Sequence, residues 1–424
     1  MENEFSRIRE QSNKFKKVQG LINYVNERSL KEEHRLQPKG KAVGIDGITK
    51  EKYQENLEES LGKLVHAMKN FSYKPKPVRR VNIPKANGKY RPLGIPSYED
   101  KLVQGVMRRI LNQVYEDRFT ENSYGFRENR SCHQAIKAVN EIIMRKKVNY
   151  VVDADIKGFF DNLNHEWLIK FLEHDIDDKR FIRYIKKFLY AGAMETMTYY
   201  ESDKGTPQGG LISPVLANVY LHYVLDLWFE KRIKKYYKGE VYMVRYADDF
   251  ICMFQYENEA KRFYQELMER LEKFGLEIEE DKTKIMPFGR YARKNHPKVE
   301  TFDFLGFTFI NGKTRTNKYR VMIRSSEKKL KAKRKAVKKW LKLNHQRPID
   351  DIIESLNRKI IGHYRYYGIS GNYKGIRKFY SFIIRALYSM LSRRSQRRYL
   401  NLERFNKKLE KKPIILPRLY VNVW

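Results

Sequence analysis

Val241-Tyr242-Met243-Val244-Arg245-Tyr246-Ala247-Asp248-Asp249-Phe250-Ile251-Cys252-Met253-Phe254 is the stretch on which the reading of this chain turns. Apolar runs flank Asp248-Asp249, a pattern that predicts two strands with the acids between them. Strand interiors disfavour Asp, and two neighbouring anions repel each other. Divalent cations would offset that repulsion and give the pair a purpose. An Asp-rich turn is also an ordinary feature, so the pair does not decide the matter alone.

A second acidic run lies upstream. The apolar strand Tyr150-Val151-Val152 leads into Asp153-Ala154-Asp155-Ile156-Lys157-Gly158-Phe159-Phe160-Asp161. Residues two apart share a strand face, so Asp153 and Asp155 project together, while Asp161 reads as a turn or cap residue. Acid clusters on two strands suggest a two-metal site for phosphoryl transfer, with oxygen ligands suited to Mg²⁺. The nine His are scattered and make no zinc pattern. Between the two runs lies Lys204-Gly205-Thr206-Pro207-Gln208-Gly209-Gly210. It lacks the Gly-Lys-Ser/Thr of a phosphate-binding P-loop, but its glycines allow close backbone approach just before a helix that starts at Ser213.

Outward from these runs the elements alternate. Residues 1–75 read as charged helices with a turn at Gly44-Ile45-Asp46-Gly47. Arg79 to Leu93 reads as a hairpin turning at Asn87-Gly88, with Lys85, Lys89 and Arg91 near its tip. A helix is expected from His165 to His174 with Asn164 as its cap. Phe302 to Phe309 reads as a strand and Asn311-Gly312 as the turn of a second hairpin. Beyond Ser325 the pattern is almost wholly helical, with Leu330, Val337, Trp340 and Leu341 on one face. The fold class expected is therefore α+β with a small, mainly antiparallel sheet, followed by helices.

Composition narrows the partner. The 424 residues carry a net charge of +36, with 30 Tyr and 23 Phe. Residues 325–424 hold 27 Lys/Arg against 6 Asp/Glu, so more than half of the excess sits in the last quarter. Cations with many aromatics suit phosphates and stackable bases. The two cysteines, Cys132 and Cys252, exclude a disulfide framework and fit a reducing compartment. No signal peptide is expected at Met1 to Glu10, and no apolar run reaches the ~18 residues of a membrane span. A cytoplasmic protein with no membrane partner is the expectation.

Taken in order, Tyr124-Gly125-Phe126-Arg127, the Asp155 to Asp161 run, Thr206-Pro207-Gln208-Gly209-Gly210, Tyr246-Ala247-Asp248-Asp249 and Phe304-Leu305-Gly306-Phe307 resemble the motifs of group II intron-encoded reverse transcriptases/maturases. Gly362-His363-Tyr364-Arg365-Tyr366-Tyr367-Gly368 resembles the maturase thumb, or domain X, and points to the bacterial class C group. The resemblance implies a right-hand polymerase fold, with fingers and palm around the small sheet and an all-α thumb/maturase domain. It implies an N-terminal extension and start of the fingers at 1–75, fingers and palm at 76–310, thumb/maturase at 311–390 and a basic nucleic-acid-binding segment at 391–424.

Carried over by position, the resemblance makes Asp155, Asp248 and Asp249 the catalytic, metal-binding acids, with the Ile156 backbone also facing one of two Mg²⁺ ions. Asp153 becomes a supporting residue. Lys85 and Arg91 match the cations that hold an incoming dNTP, and Phe160 the gate against a ribose 2′-OH. Gln208 and Gly209 match the loop that positions nucleotide and template. Lys282 matches a lysine that protonates pyrophosphate, although a plain surface lysine fits that position as well. The implied function is an RNA-directed DNA polymerase that copies RNA into DNA from a DNA primer on an RNA template, and that binds intron RNA to assist splicing. Arg393, Arg394, Arg397 and Arg398 are the expected RNA contacts, with Tyr364, Tyr366, Tyr367 and Tyr373 as stacking surfaces. Members with an endonuclease carry a Cys-pair and His-rich module; no cysteine follows Cys252, so no DNA cleavage is expected of this chain. The competing readings are an RNA-binding splicing factor with a vestigial polymerase, and a related reverse transcriptase recruited to phage defence.

Overall fold

Charged sequence of good helix propensity opens the chain, and it folds into α1 (Ser6–Lys14), α2 (Glu27–Leu36), α3 (Lys50–Gln54) and α4 (Leu57–Lys69). The computed structural model describes residues 5–84, 90–195, 198–200, 204–205, 209–292, 300–394 and 401–424. It is a mixed α/β structure with three small sheets and a helical C-terminal region. No helix among the described residues is long and apolar enough to cross a membrane.

The hairpin signal after Pro77 gives β1 (Val78–Pro84) and β2 (Tyr90–Ile95), paired antiparallel from Arg79↔Ile95 to Pro84↔Tyr90. Its expected Asn87-Gly88 tip lies outside the described residues. Helix α5 (Tyr98–Tyr115) follows; the Ser97 side chain accepts the Asp100 N–H and so satisfies a free amide of its first turn. Next come α6 (Cys132–Arg145), β3 (Tyr150–Asp155), α7 (Phe159–Asn162), α8 (His165–Asp175) and α9 (Lys179–Leu189). Asn164 caps α8 as its sequence predicts, accepting from the Trp167 N–H. Strands β4 (Ala193–Glu195) and β5 (Thr198–Tyr200) complete a sheet ordered β2-β1-β4-β5. Helix α10 begins at Ser213–Leu221 and passes through two π turns, His222–Asp226 and Phe229–Ile233, to Lys234–Tyr236. Strands β6 (Val241–Tyr246) and β7 (Asp249–Phe254) precede α11 (Glu257–Glu272) and β8 (Lys284–Pro287).

The chain divides into two compact units: Met1–Ser131 with Val152–Cys252 and Asn258–Lys284, and Cys132–Val151 with Met253–Glu257 and Ile285–Trp424. In the first, β6, β7 and β3 are neighbours in that order. Their residues Val152, Val244, Phe250 and Ile251 are almost fully buried.

The second unit corrects two local expectations. Phe302 to Phe309 is not one strand: β9 (Thr301–Phe304) turns at Leu305-Gly306 into β10 (Phe307–Lys313). Both turn residues have positive φ, 49° and 78°, the geometry of a two-residue I′ turn. Leu305 tolerates it because its carbonyl accepts from the Tyr366 hydroxyl at 2.8 Å, while Gly306 O accepts the Ser326 N–H at 3.0 Å. Asn311-Gly312 is not a turn either. Both lie inside β10 opposite Val321 and Arg320 of β11 (Tyr319–Ser325), and the reversal occurs at Thr314–Lys318. The Asn311 side chain accepts instead from the Tyr319 hydroxyl at 2.6 Å, which removes the local hydrogen bonding that makes Asn a turn former.

Helices α12 (Glu327–Leu343), α13 (Ile349–Tyr367), α14 (Tyr373–Ser392) and α15 (Leu402–Lys411) share a core of Leu330, Leu341, Leu356, Ile360, Phe379 and Leu387. The last residues are tied in: Tyr420 N–H donates to Gly368 O at 2.7 Å, Val423 is fully buried, and Arg320 lies 3.9 Å above the Trp424 ring.

Candidate active site

The β6–β7 connection is two residues long, Ala247 and Asp248, so Asp248 stands on the turn and Asp249 opens β7. Ala247 has φ 59°. Such a turn ordinarily takes Gly at this position, and an L-residue there is strained. What holds it is a buried strut. The fully buried Arg245 guanidinium donates all five of its N–H groups. Two go to Asp226, at 2.7 and 2.5 Å, one to Asn218 Oδ1 at 3.1 Å, one to Ser123 Oγ at 2.7 Å and one to the Ala247 carbonyl at 2.9 Å. Asp226 and Asn218 come from α10, Asp226 from within its first π turn, so the helix supplies the counter-charge beneath the hairpin.

The segment Tyr124-Gly125-Phe126-Arg127 packs against the same turn. Tyr124 N–H donates to Arg245 O at 2.8 Å, and Arg245 N–H to Asn122 O at 2.9 Å. Asn218 Nδ2 donates to Gly125 O at 2.6 Å. A Cβ on Gly125 would strike the Ala247 backbone nitrogen, so glycine is required by close approach. Arg127 fastens the far end, donating to the Thr120, Ser123 and Glu116 carbonyls.

Asp155 ends β3, the strand beside β7. Residues 277–279 pair with the chain just past it: Glu279 N–H donates to Asp155 O at 2.8 Å, Lys157 N–H to Glu277 O at 2.9 Å, and Ile156 bridges Ile278. The following turn brings Lys282 onto Asp155, Nζ to Oδ2 at 2.8 Å, with Glu279 at 3.5 Å. The Asp155 carboxylate raises the Lys282 pKa and keeps the ammonium charged. Asp248 is raised above the usual carboxylate range, first by burial and then by the charge of Asp155, against which Arg91 and Arg245 act. Asp155 and Asp248 therefore feel each other, and both feel cations.

Three Asp carboxylates with a peptide carbonyl form a hard-oxygen donor set suited to Mg²⁺, and the repulsion registered at Asp248 is what a divalent ion would relieve. Among the described residues no group of three or more His, Cys, Asp or Glu is already drawn together as metal ligands; Asp155 is held by Lys282. The donors fit by chemistry and by strand placement.

The other expected residues fall as follows. Phe160 lies on α7, half-buried, edge-on to the buried Phe159 at 5.3 Å. Gly205 backs onto this helix: a Cβ there would meet the Phe160 and Asp161 carbonyls at 2.8 and 2.9 Å. Gly209 backs onto β2, where a Cβ would meet Gly94 O at 2.5 Å, and its φ of 121° suits glycine. Arg91 is exposed on β2 opposite Ile83, and its charge reaches Asp248. Ile156 is buried. Arg393 and Arg394 are exposed just past α14, with Arg394 donating to Arg347 O at 2.8 Å. Lys85, Gln208, Arg397 and Arg398 lie outside the described residues.

The stacking expectation needs correction. Tyr364 is fully buried in the helical core, and Tyr366 is stacked on Phe307 with its hydroxyl on Leu305 O. Tyr367 packs on Phe307 and His363. Tyr366 and Tyr367 hold the Leu305-Gly306 turn, and of the four only Tyr373, 45% exposed, presents an open surface.

Two family models match the chain: reverse transcriptase (RNA-dependent DNA polymerase) over residues 83–309, and the group II intron maturase-specific domain over residues 330–408. The group II intron-encoded protein LtrA of Lactococcus lactis subsp. cremoris is 37% identical over 265 residues, 59% of this chain and 44% of that protein. Protein YkfC of Escherichia coli is 31% identical over 310 residues, 66% of this chain and 78% of that protein. A putative COX1/OXI3 intron 1 protein of Saccharomyces cerevisiae is 41% identical over 182 residues, 43% of this chain and 22% of that protein. The chain thus spans less than half the length of the Lactococcus relative.

Proposed function

Because the chain belongs to the group II intron reverse transcriptase/maturase family, we propose that it is an RNA-directed DNA polymerase that copies RNA from a DNA primer and binds intron RNA to assist splicing. One observation carries the reading. A braced hairpin sets Asp248 and Asp249 beside the strand that ends in Asp155, with a charged Lys282 on that last carboxylate.

In this reading the fold is a right hand: 76–310 supplies fingers and palm after the 1–75 extension, 311–390 the thumb/maturase domain, and 391–424 a basic nucleic-acid-binding segment. Asp155, Asp248, Asp249 and the Ile156 carbonyl would hold two Mg²⁺ ions. When bound, such ions lower the pKa of a primer hydroxyl and neutralise charge on the triphosphate. The primer 3′ oxygen attacks the α-phosphorus of a dNTP, and the bond to pyrophosphate breaks. Lys85 and Arg91 hold the triphosphate, Gly209 and Gln208 set the nucleotide against its template, and Phe160 leaves no room for a 2′-OH. Lys282, kept protonated by Asp155, would give a proton to the leaving pyrophosphate. Arg393, Arg394, Arg397 and Arg398 contact phosphates of the intron RNA.

The test is primer extension on an RNA template with dNTPs and Mg²⁺. Extension that stops on chelation is expected. No incorporation, under conditions where the protein binds the same template, would reject the polymerase reading in favour of an RNA-binding splicing factor.

A further inference from the structure

Helices α12 and α14 leave a cavity of about 760 Å³ between them, within the ~300–1,000 Å³ usual for sites that enclose a small ligand. Its floor is apolar: Leu341 from α12, and Phe382, Ala386 and Met390 from α14. Its mouth is cationic, with Lys338, Lys342, Arg385, Arg393 and Arg394, and no carboxylate lines it among the described residues. Lys338 Nζ stands 5.8 Å from the centre of the Phe382 ring, so this half-buried aromatic already has a cation beside it. A second cavity of about 680 Å³ continues along the same helices and shares Phe382 and Arg385. It adds Lys374, Arg377 and Lys378, while its single acid, Glu327, is paired with Arg334 at 3.0 Å.

We propose that this cleft is a binding site for one unpaired nucleotide of a structured RNA, its base inserted on Phe382 and Met390 and its flanking phosphates held by the cations of the two cavities. The proposal deepens the reading of this unit as an RNA-binding domain and rests on it. An apolar floor ringed by positive charge is complementary to a flat ring that carries a phosphate on each side. A base stacks on an aromatic face without regard to sequence. A paired base has both faces covered by its neighbours and cannot enter, so the cleft selects bulges and unpaired loops over duplex. An acidic peptide without aromatic residues offers the charge but no flat ring for Phe382.

The probe is a pair of blunt RNA hairpins that differ in one bulged 2-aminopurine nucleotide, titrated against the full chain saturated with a separate template–primer duplex. Tighter binding of the bulged hairpin is expected, by about 5- to 150-fold, with quenching of the bulge fluorescence. Phe382→Ala removes the stacking face, and Ser389→Trp plugs the mouth from an exposed position without opening the core. Both are expected to bring the bulged hairpin to the affinity of the paired one and to leave primer extension unchanged. Equal binding of the two hairpins by the wild type overturns the proposal, as does a bulge preference that survives both variants. Poly-glutamate that displaces the bulged hairpin as well as unlabelled bulged RNA does would overturn it too. Absence of extension by the wild type, with the bulge preference intact, would count against the polymerase reading and leave this site standing.

Discussion

Arg245 connects the Asp248-Asp249 hairpin to the rest of its unit. A lysine at this position keeps the charge, but one ammonium has three donors and cannot serve Asp226, Asn218, Ser123 and Ala247 together. Each lost hydrogen bond to a buried partner costs of order 1–3 kcal/mol. Arg245→Lys is therefore expected to lower kcat for extension by roughly tenfold or more and to leave RNA affinity intact; an unchanged kcat would show that the strut does not position the turn. Phe160→Ala should raise rNTP incorporation relative to dNTP in single-nucleotide extension, and an unaltered ratio would remove Phe160 as the gate. The acids were legible because their signal is local: two Asp between apolar runs, and Asp155 at a strand end. The strut was not, because its partners lie 19, 27 and 122 residues away in sequence. The one available signal was a cation, Arg245, inside an otherwise apolar strand.

Periodic helices and alternating strands were read well from sequence, whereas short turns were not. Leu305-Gly306 was missed because Leu is a poor turn residue; tertiary contacts from Tyr366 and Ser326 hold it there. Asn311-Gly312 misled because its turn chemistry is consumed by cross-strand partners. The tyrosines of 364–367 resembled a stacking surface in composition, yet the periodicity of α13 turns Tyr364 inward. His363, beside them, is buried against Phe379 with no hydrogen-bond partner on either ring nitrogen among the described residues. Burial first, and then the nearby Lys333, push its pKa down to about 3. A His lowered on folding binds its proton in the unfolded chain first. Its stabilising contribution is complete above about pH 6.5 and is lost as pH falls from there towards 3, by up to ~1.4 kcal/mol per unit. Urea unfolding of the wild type and of His363→Phe should therefore diverge between pH 7 and pH 5, with the wild type weakening more. Parallel curves would show that His363 is not held neutral.

The charge of the entire chain, +36, now has two parts. Residues 1–324 carry +15 although they include Asp155, Asp248 and Asp249, and Arg91 and Lys282 already act on two of these acids. Residues 325–424 carry +21, and α12 and α14 gather part of it around the two cavities. Replacing Arg393, Arg394, Arg397 and Arg398 by Ala should weaken RNA binding and flatten the log K against log salt slope by up to about 3.6, at ~0.7–0.9 per phosphate contact. A slope that stays the same would move the phosphate contacts elsewhere. The most direct test of the account as a whole is dNTP incorporation on a primed RNA template by the wild type and by Asp248→Asn, each first shown to bind that template equally. Incorporation by the wild type and none by Asp248→Asn is the predicted result; extension that persists in the variant would contradict the assignment of the hairpin as the catalytic centre.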